Sequence, residues 1–460
     1  MENAKNAFAG KKITIMGLGL LGLGLGDAKF LAAAGADLIV TDLKTETELA
    51  SSVTALKETP GGSNITFHLG GHRLEDFENR DLIIKAPNTP LDSPFIARAR
   101  ENKIPVEMDA ALFVKLATAD EKSAPTIVGI TGTRGKSTVT QLIYEMAKAA
   151  GKNTYLGGNV KDIATLPLIE TIKAGDVVVL ELDSWQLQGF EEDHISPHIA
   201  VWTNFMPDHM NYYHGDMERY FMDKAAIARF QKSGDTFIAP RDIKEKIETK
   251  FFNDASLPAN HIDPSAPDWE ITLPGEHNRA NAGCAIAAAR ALGIPDETIK
   301  KVLKDFRGLP GRLELLGEKN DIVFYNDTNS TTPDAALAAL RALGETATTK
   351  NRPLVLIAGG NDKELDFAEL AKVVAGNAPH IKKLVLFQGK ASEKIKALLP
   401  QNFPITMAAG MDEAFRTAMA TAAPGDIILL SPAATSFGIF KNEYDRGEQF
   451  KAEFEHLKGY

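Results

Sequence analysis

The segment Gly129-Ile-Thr-Gly-Thr-Arg-Gly-Lys-Ser-Thr holds the residue types and spacing best suited to chemistry. It follows the apolar run Thr126-Ile-Val and opens a helix-forming stretch, Val139 to Ala150. Gly132, Thr133 and Gly135 let the chain turn so that backbone N–H groups surround a phosphate. Lys136 then brings a positive charge to the outer phosphate oxygens, and the hydroxyl of Ser137, with Thr138 beside it, suits Mg²⁺. The spacing departs from GxxxxGK[ST], because Ile130 stands at the first glycine position, and it fits T-G-T-x-G-K-[ST]. An ordinary glycine turn would need neither the lysine nor the hydroxyl.

A second glycine cluster, Gly17, Gly19 and Gly22, follows the apolar run ending at Met16, and Asp42 ends the next apolar run. Glycines at such a turn let backbone approach a diphosphate at a helix N-terminus, and the acid stands where a Rossmann fold meets a ribose. Taken alone the pattern is weak. It is compatible with tight packing, with a nicotinamide cofactor, or with any other diphosphate, including that of a UDP-sugar. An NAD-dependent oxidoreductase would leave the Gly-Lys-Ser loop without a purpose. Glu181 closes the run Asp176-Val-Val-Val-Leu. Ligands of parallel sheets gather at the C-terminal strand ends, so this carboxylate is placed for a metal ion that also touches a nucleotide. His209 and Lys224 lie after another strand, and residue type alone gives neither a role.

These groups must be held by alternating strands and helices. Lys11–Gly19, Ala36–Leu43, Asp81–Pro87 and Lys103–Met108 read as strands, with Gly26–Ala36 as a helix among them. A second series has strands at Thr126–Gly132, Asp176–Ser184 and His198–Phe205, and it closes with a helix over Asn278–Leu292. A third has strands at Asp321–Thr328, Pro353–Gly360, Lys382–Gly389 and Asp426–Ala433, after a linker at Gly308–Gly311. Such alternation predicts α/β architecture with mostly parallel sheets. Three domains are expected: 1–108, Rossmann-like; 109–308, P-loop ATPase-like; and 309–460, again Rossmann-like.

The 460 residues carry 51 Lys and Arg against 61 Asp and Glu, a net charge of −10, which argues against broad nucleic-acid binding. The single cysteine, Cys284, excludes an internal disulfide and a multi-cysteine zinc site, and its small-residue setting points to helix packing. No apolar run reaches the ~18 residues of a membrane span, and the polar start is unlike a signal peptide. A cytoplasmic protein is expected.

Together the segments TGTRGKST, GGN, LELDSWQL, TNFMPDHMN, GEHNRAN, GLPGRLE, NDTNSTTPDA, GGNDK and LSPAATSFGIFKNEYDRG resemble the Mur ligases, and within them the D-glutamate-adding branch. The matching blocks run in order from residue 13 to about residue 450. The resemblance implies domains for UDP, ATP and amino acid in turn. It implies a monomer in which ATP phosphorylates the carboxylate of UDP-N-acetylmuramoyl-L-alanine and the amine of D-glutamate captures the acyl phosphate. Lys136 would hold the ATP phosphates. Ser137 and Glu181 would hold a first Mg²⁺ and His209 a second. Lys224 matches a lysine that becomes carbamylated, which turns a cation into an anion with two oxygen ligands for a hard metal. Asn281, Arg312 and Asp327 match nucleotide contacts. Leu20, Leu21, Asp42 and Asn159 match the UDP-muramoyl side, and Thr331, Lys363, Ser436 and Phe437 surround the incoming glutamate.

The chain departs from the family pattern at Leu21, at Asp183, at Asn329, at Glu443 and in Lys85-Ala-Pro-Asn-Thr-Pro. Three other readings compete. A related ligase would add L-glutamate or another amino acid, or act on folate, although a folate enzyme would begin directly with its ATP domain. The oxidoreductase is another, and a nucleotide-gated binding protein without catalysis is the last.

Overall fold

The computed structural model describes residues 7–20, 22–210, 212–345, 352–362, 365–376, 380–436 and 438–457. Three sheets form in succession. The first comprises β1 (Lys12–Met16), β2 (Asp37–Asp42), β3 (Thr66–Leu69), β4 (Leu82–Lys85) and β5 (Val106–Glu107). All its pairings are parallel, in the order β3-β2-β1-β4-β5. The strand order therefore reverses between β1 and β4, and a crevice opens beyond the C-terminal ends of these two strands.

The second sheet comprises β6 (Thr126–Thr131), β7 (Thr154–Gly158), β8 (Val177–Glu181), β9 (Ile199–Trp202), β10 (Thr236–Ile238) and β11 (Asn260–Ile262). It too is wholly parallel, in the order β11-β10-β9-β6-β8-β7. The third comprises β12 (Glu314–Lys319), β13 (Ile322–Asn326), β14 (Leu354–Gly359), β15 (Ile381–Phe387), β16 (Ile405–Ala408) and β17 (Ile427–Leu430). Its order is β12-β13-β17-β14-β15-β16, with β12 antiparallel to β13 and the other pairs parallel.

The reason for this arrangement lies in the apolar runs. Every residue of β8, β9, β13, β14 and β17 is buried, as strands covered by helices on both faces require. Each Val, Leu or Ile so covered contributes roughly 1.5–3 kcal/mol relative to exposure. The mixed α/β architecture with three mainly parallel sheets thus agrees with the sequence reading.

The chain packs as two compact units. One contains the residues up to Trp269 with Ala280–Val302, and hence the first two sheets; the other contains Glu270–Arg279 and the residues from Leu303 onward. Cys284 is buried in the helix Glu276–Ala291, where burial pushes its thiol up to about 12. Among the described residues no helix is long and apolar enough to cross a membrane.

Candidate active site

The loop after β6 turns at Gly132 (φ 142°) and Gly135 (φ 82°), and Gly135 caps the helix Lys136–Ala149. Both positions exclude a side chain. A Cβ on Gly132 would lie 1.9 Å from Thr203 Oγ1, and one on Gly135 would lie 2.1 Å from Asn281 Oδ1. The loop is pinned from the segment after β9. Thr133 N donates to Asn204 O (3.1 Å), Arg134 N donates to Asn204 Oδ1 (2.9 Å), and Met206 N donates to Thr133 Oγ1 (2.9 Å). Lys136 Nζ folds back over the turn and donates to Gly132 O (3.1 Å) and Thr133 O (3.2 Å). An ammonium, a rigid glycine turn and a helix N-terminus therefore converge at the end of a buried strand, a geometry that binds phosphate.

Lys224 approaches the same turn from the helix Met217–Arg229. Its side chain is fully buried, and Nζ donates to Thr131 Oγ1 (3.2 Å) and Gly132 O (3.0 Å). Burial first, and then repulsion from Lys136, holds its pKa well below the usual lysine value, against the pull of Asp183, Asp208 and Asp223. Asp223 in turn accepts from Gln188 Nε2 (2.7 Å) and Tyr213 OH (2.9 Å), which ties the helix to its neighbour Ser184–Asp193. Glu181 is buried at the end of β8, in register with Ile130 of β6 and Gly158 of β7. The ring of His209 packs 4.6 Å from that of Trp185, and its backbone is left-handed at φ 54°.

A cavity of about 390 Å³ lies beyond β1 and β4 of the first sheet. Gly17, Gly19 and Leu20 form one wall, Lys85 and Ala86 another, and Asn159, Asp183 and Trp185 enclose it from the second sheet's side. Asp42 acts on it through the backbone: its carboxylate accepts from Gly19 N (2.9 Å) and Lys44 N (2.8 Å). Asn159 is placed by a bond from its N to Glu181 O (2.7 Å). The cavity is also lined by two buried carboxyls, Asp27 and Asp109, each with one oxygen lacking a hydrogen-bond partner. Burial raises both pKa values, and Asp109 raises that of Asp27 further.

The second unit holds Arg312, Asp327, Thr331 and Ser436. Asp327, buried just after β13, accepts from Leu313 N (2.9 Å), Ser431 Oγ (2.8 Å) and Ser330 Oγ, yet burial still pushes it up to about 6. The exposed Arg312 counteracts this through its charge. Arg446 organises the surrounding loops. Fully buried, it donates to Thr328 O (2.8 Å), Thr328 Oγ1 (3.1 Å) and Ala434 O (3.3 Å), so the segments bearing Thr331 and Ser436 share one anchor.

In the first unit the structure gathers Thr133, Lys136, Lys224 and Asn281 around one turn, and Leu20 and Asn159 around one cavity. Leu21, Lys363 and Phe437 lie outside the described residues. Sequence reading gave no role to Asp27, Lys85, Asp109 or Arg446, although Lys85 and Arg446 stand in segments it singled out. A charged residue in a mainly apolar run is the only local trace of the first three. Asp183 has a structural task as well. It caps the helix Ser184–Asp193, accepting from Gln186 N (2.8 Å) in a capping box.

Three family models match the chain. Residues 11–107 match the Mur ligase MurD-like N-terminal domain, residues 130–257 the Mur ligase middle domain, and residues 311–434 the Mur ligase glutamate ligase domain. The UDP-N-acetylmuramoylalanine--D-glutamate ligase of Roseiflexus sp. (strain RS-1) is 36% identical, over 96% of this chain and 98% of that protein. That of Streptococcus sanguinis (strain SK36) is 34% identical, over 98% of this chain and 99% of that protein. Among solved structures, UDP-N-acetylmuramate-alanine ligase MurC of Thermotoga maritima shares the fold, with a TM-score of 0.58 and 20% identity over 97% of this chain and 100% of that one. With all three family domains matched in order and full-length relatives above one-third identity, the chain belongs to the Mur ligase family.

Proposed function

We propose that the chain is an ATP-dependent ligase that joins D-glutamate to UDP-N-acetylmuramoyl-L-alanine in cytoplasmic peptidoglycan precursor synthesis. It acts as a monomer of three domains, divided near residues 108 and 308. The observation that carries the reading is the pair of lysines at the glycine turn after β6. Lys136 covers the turn from solvent, and Lys224 supports it from within. The full-length relatives named above add weight to this choice of substrates.

A carboxylate is a poor electrophile and must be activated. The γ-phosphoryl group of ATP passes to an oxygen of the alanyl carboxylate, and ADP leaves. The D-glutamate amine then attacks the acyl carbon, the C–O bond to phosphate breaks, and the amine gives up a proton as the amide forms. Such transfer depends on positioning and charge neutralisation. Lys136 meets the charge that develops on the transferred group, and the backbone N–H groups of Gly132–Gly135 orient the nucleotide. Asn281 packs against Gly135 and would hold the nucleotide beside it, with Arg312 and Asp327 as further contacts. Leu20, Asn159 and the Asp42-braced turn hold the UDP-muramoyl substrate, and Thr331 and Ser436 hold the amino acid.

Two Mg²⁺ ions suit the donors present. Ser137 and Glu181 would hold one, and His209 with a carbamylated Lys224 the other. Among the described residues no three acidic, His or Cys side chains converge, so phosphate and carbamate oxygens would complete each shell. When bound, the ions neutralise phosphate charge. Lys224 suits carbamylation, because its depressed pKa leaves an uncharged amine to attack CO₂.

The test is a phosphate-release assay with UDP-N-acetylmuramoyl-L-alanine and a panel of D- and L-amino acids. Release of ADP and phosphate is expected only with both substrates present, and D-glutamate is expected to exceed the rest. Preference for L-glutamate or another amino acid would move the chain to a different branch. No turnover with any of them would overturn the reading.

A further inference from the structure

Lys85 is the last residue of β4, in register with Met16 at the end of β1. It therefore stands at the point where strand order reverses, directly beside the glycine turn. The approach is close. A Cβ on Gly17 would fall 2.7 Å from Ala86 Cβ. Lys85, Ala86, Pro87 and Asn88 all line the cavity.

The lysine is only 2% exposed. Its Nζ donates to Pro87 O (3.1 Å), Thr89 O (3.0 Å) and, at greater length, Ala86 O (3.3 Å). Hydrogen bonding is satisfied, but among the described residues no carboxylate lies within ion-pair distance. Its surroundings are mixed. Glu192, Asp183 and Asp223 act on it at longer range, Arg100 opposes them, and Asp27, Asp109 and Lys44 line the same cavity. A buried ammonium without a direct counter-charge is unfavourable unless an anion joins it. Desolvation lowers its pKa to about 8.

We propose that Lys85 is an anion-binding residue of this cavity, pairing with the diphosphate of the nucleotide-sugar substrate. The inference rests on the function proposed above and adds a residue to it. Binding then carries a proton signature. The free protein holds Lys85 partly deprotonated near pH 8, whereas a bound diphosphate restores the charged form. UDP-N-acetylmuramoyl-L-alanine has no group that titrates near that pH, so uptake reports on the protein.

Isothermal titration with this substrate, without ATP, in buffers of differing ionisation enthalpy reads that proton directly. Wild type is expected to take up about half a proton near pH 8 and almost none near pH 6. Lys85→Gln is expected to lose the uptake and to bind on the order of 10- to 100-fold more weakly, as for loss of a charged hydrogen-bonded contact. A residue that only braced its loop would show no uptake in wild type. Binding without uptake, or uptake that persists in Lys85→Gln, overturns the role of Lys85 and leaves the ligase reading intact. No binding by wild type overturns both.

Discussion

The turn after β1 and the turn after β6 share a backbone design and differ in the charges around it. Each leaves a parallel strand, uses glycines with positive φ, and enters a helix through a glycine cap, Gly22 (φ 85°) in one and Gly135 (φ 82°) in the other. Beside the second turn stand two lysines. One of them, Lys136, opens the helix itself, and Lys224 is buried beneath. The helix after the first turn starts with Leu23 and brings a buried acid, Asp27, to the cavity. Its buried cation, Lys85, comes from a neighbouring strand. A glycine turn thus makes room for phosphate, while the charges placed beside it decide between holding an anion and transferring one.

The largest expected effect tests that division. Lys136→Ala should lower kcat on the order of a thousandfold or more, since it removes charge stabilisation at the transferred phosphoryl group. Affinity for the UDP-muramoyl substrate, measured by calorimetry without ATP, should stay near the wild-type value. A rate within tenfold of wild type would remove Lys136 from the chemistry.

Next come the two caps. Alanine at either position is strained by roughly 1–2 kcal/mol, because its φ is left-handed. At Gly135 the added Cβ also collides with Asn281 Oδ1 at 2.1 Å, whereas at Gly22 the nearest atom, Asp162 Cα, is 3.1 Å away. Gly135→Ala should therefore raise the KM for ATP by roughly tenfold or more, and Gly22→Ala should act mainly on the KM for the UDP substrate and less strongly. If both variants change the same parameter, the two turns do not divide the work.

The smallest effect concerns stability. Folding raises the pKa of Asp27 above its unfolded value, so the native state tolerates the protonated acid and loses stability as pH climbs through the raised value. Asp27→Asn should stabilise the fold by about 1–2 kcal/mol at neutral pH, with the gain fading as pH falls from the raised value toward the unfolded one and gone below about 4. Thermal melts across pH measure it. A destabilised variant, or a gain independent of pH, would show that the carboxylate is better accommodated than its unpaired oxygen implies.

The charges explain why one turn was easier to read than the other. Lys136 and Ser137 are contiguous with their glycines, so the phosphate loop was visible as a string. Lys85 and Asp109 are about 65 and 90 residues beyond the first turn, and only the β1–β4 pairing and the junction with the second sheet bring them to it. Arg446 shows the same thing in the other unit. It reaches Thr328 across 118 residues of chain, which no spacing rule anticipates.

The strands divide in the same way. β6, β8, β9, β13, β14 and β17 were legible as unbroken apolar runs, because a parallel strand covered on both faces must be apolar along its length. β3, β7, β10, β11, β12 and β16 were not read as strands; all except the three-residue β10, which lies between β9 and β11, form sheet edges with many half-exposed residues. The long buried strands, the glycine turns and the contiguous phosphate loop were legible along the chain, since each follows from local residue chemistry. Only the tertiary structure decided which strands close the sheets and which distant charges face each cavity. Those depend on pairing and burial between segments far apart in the chain.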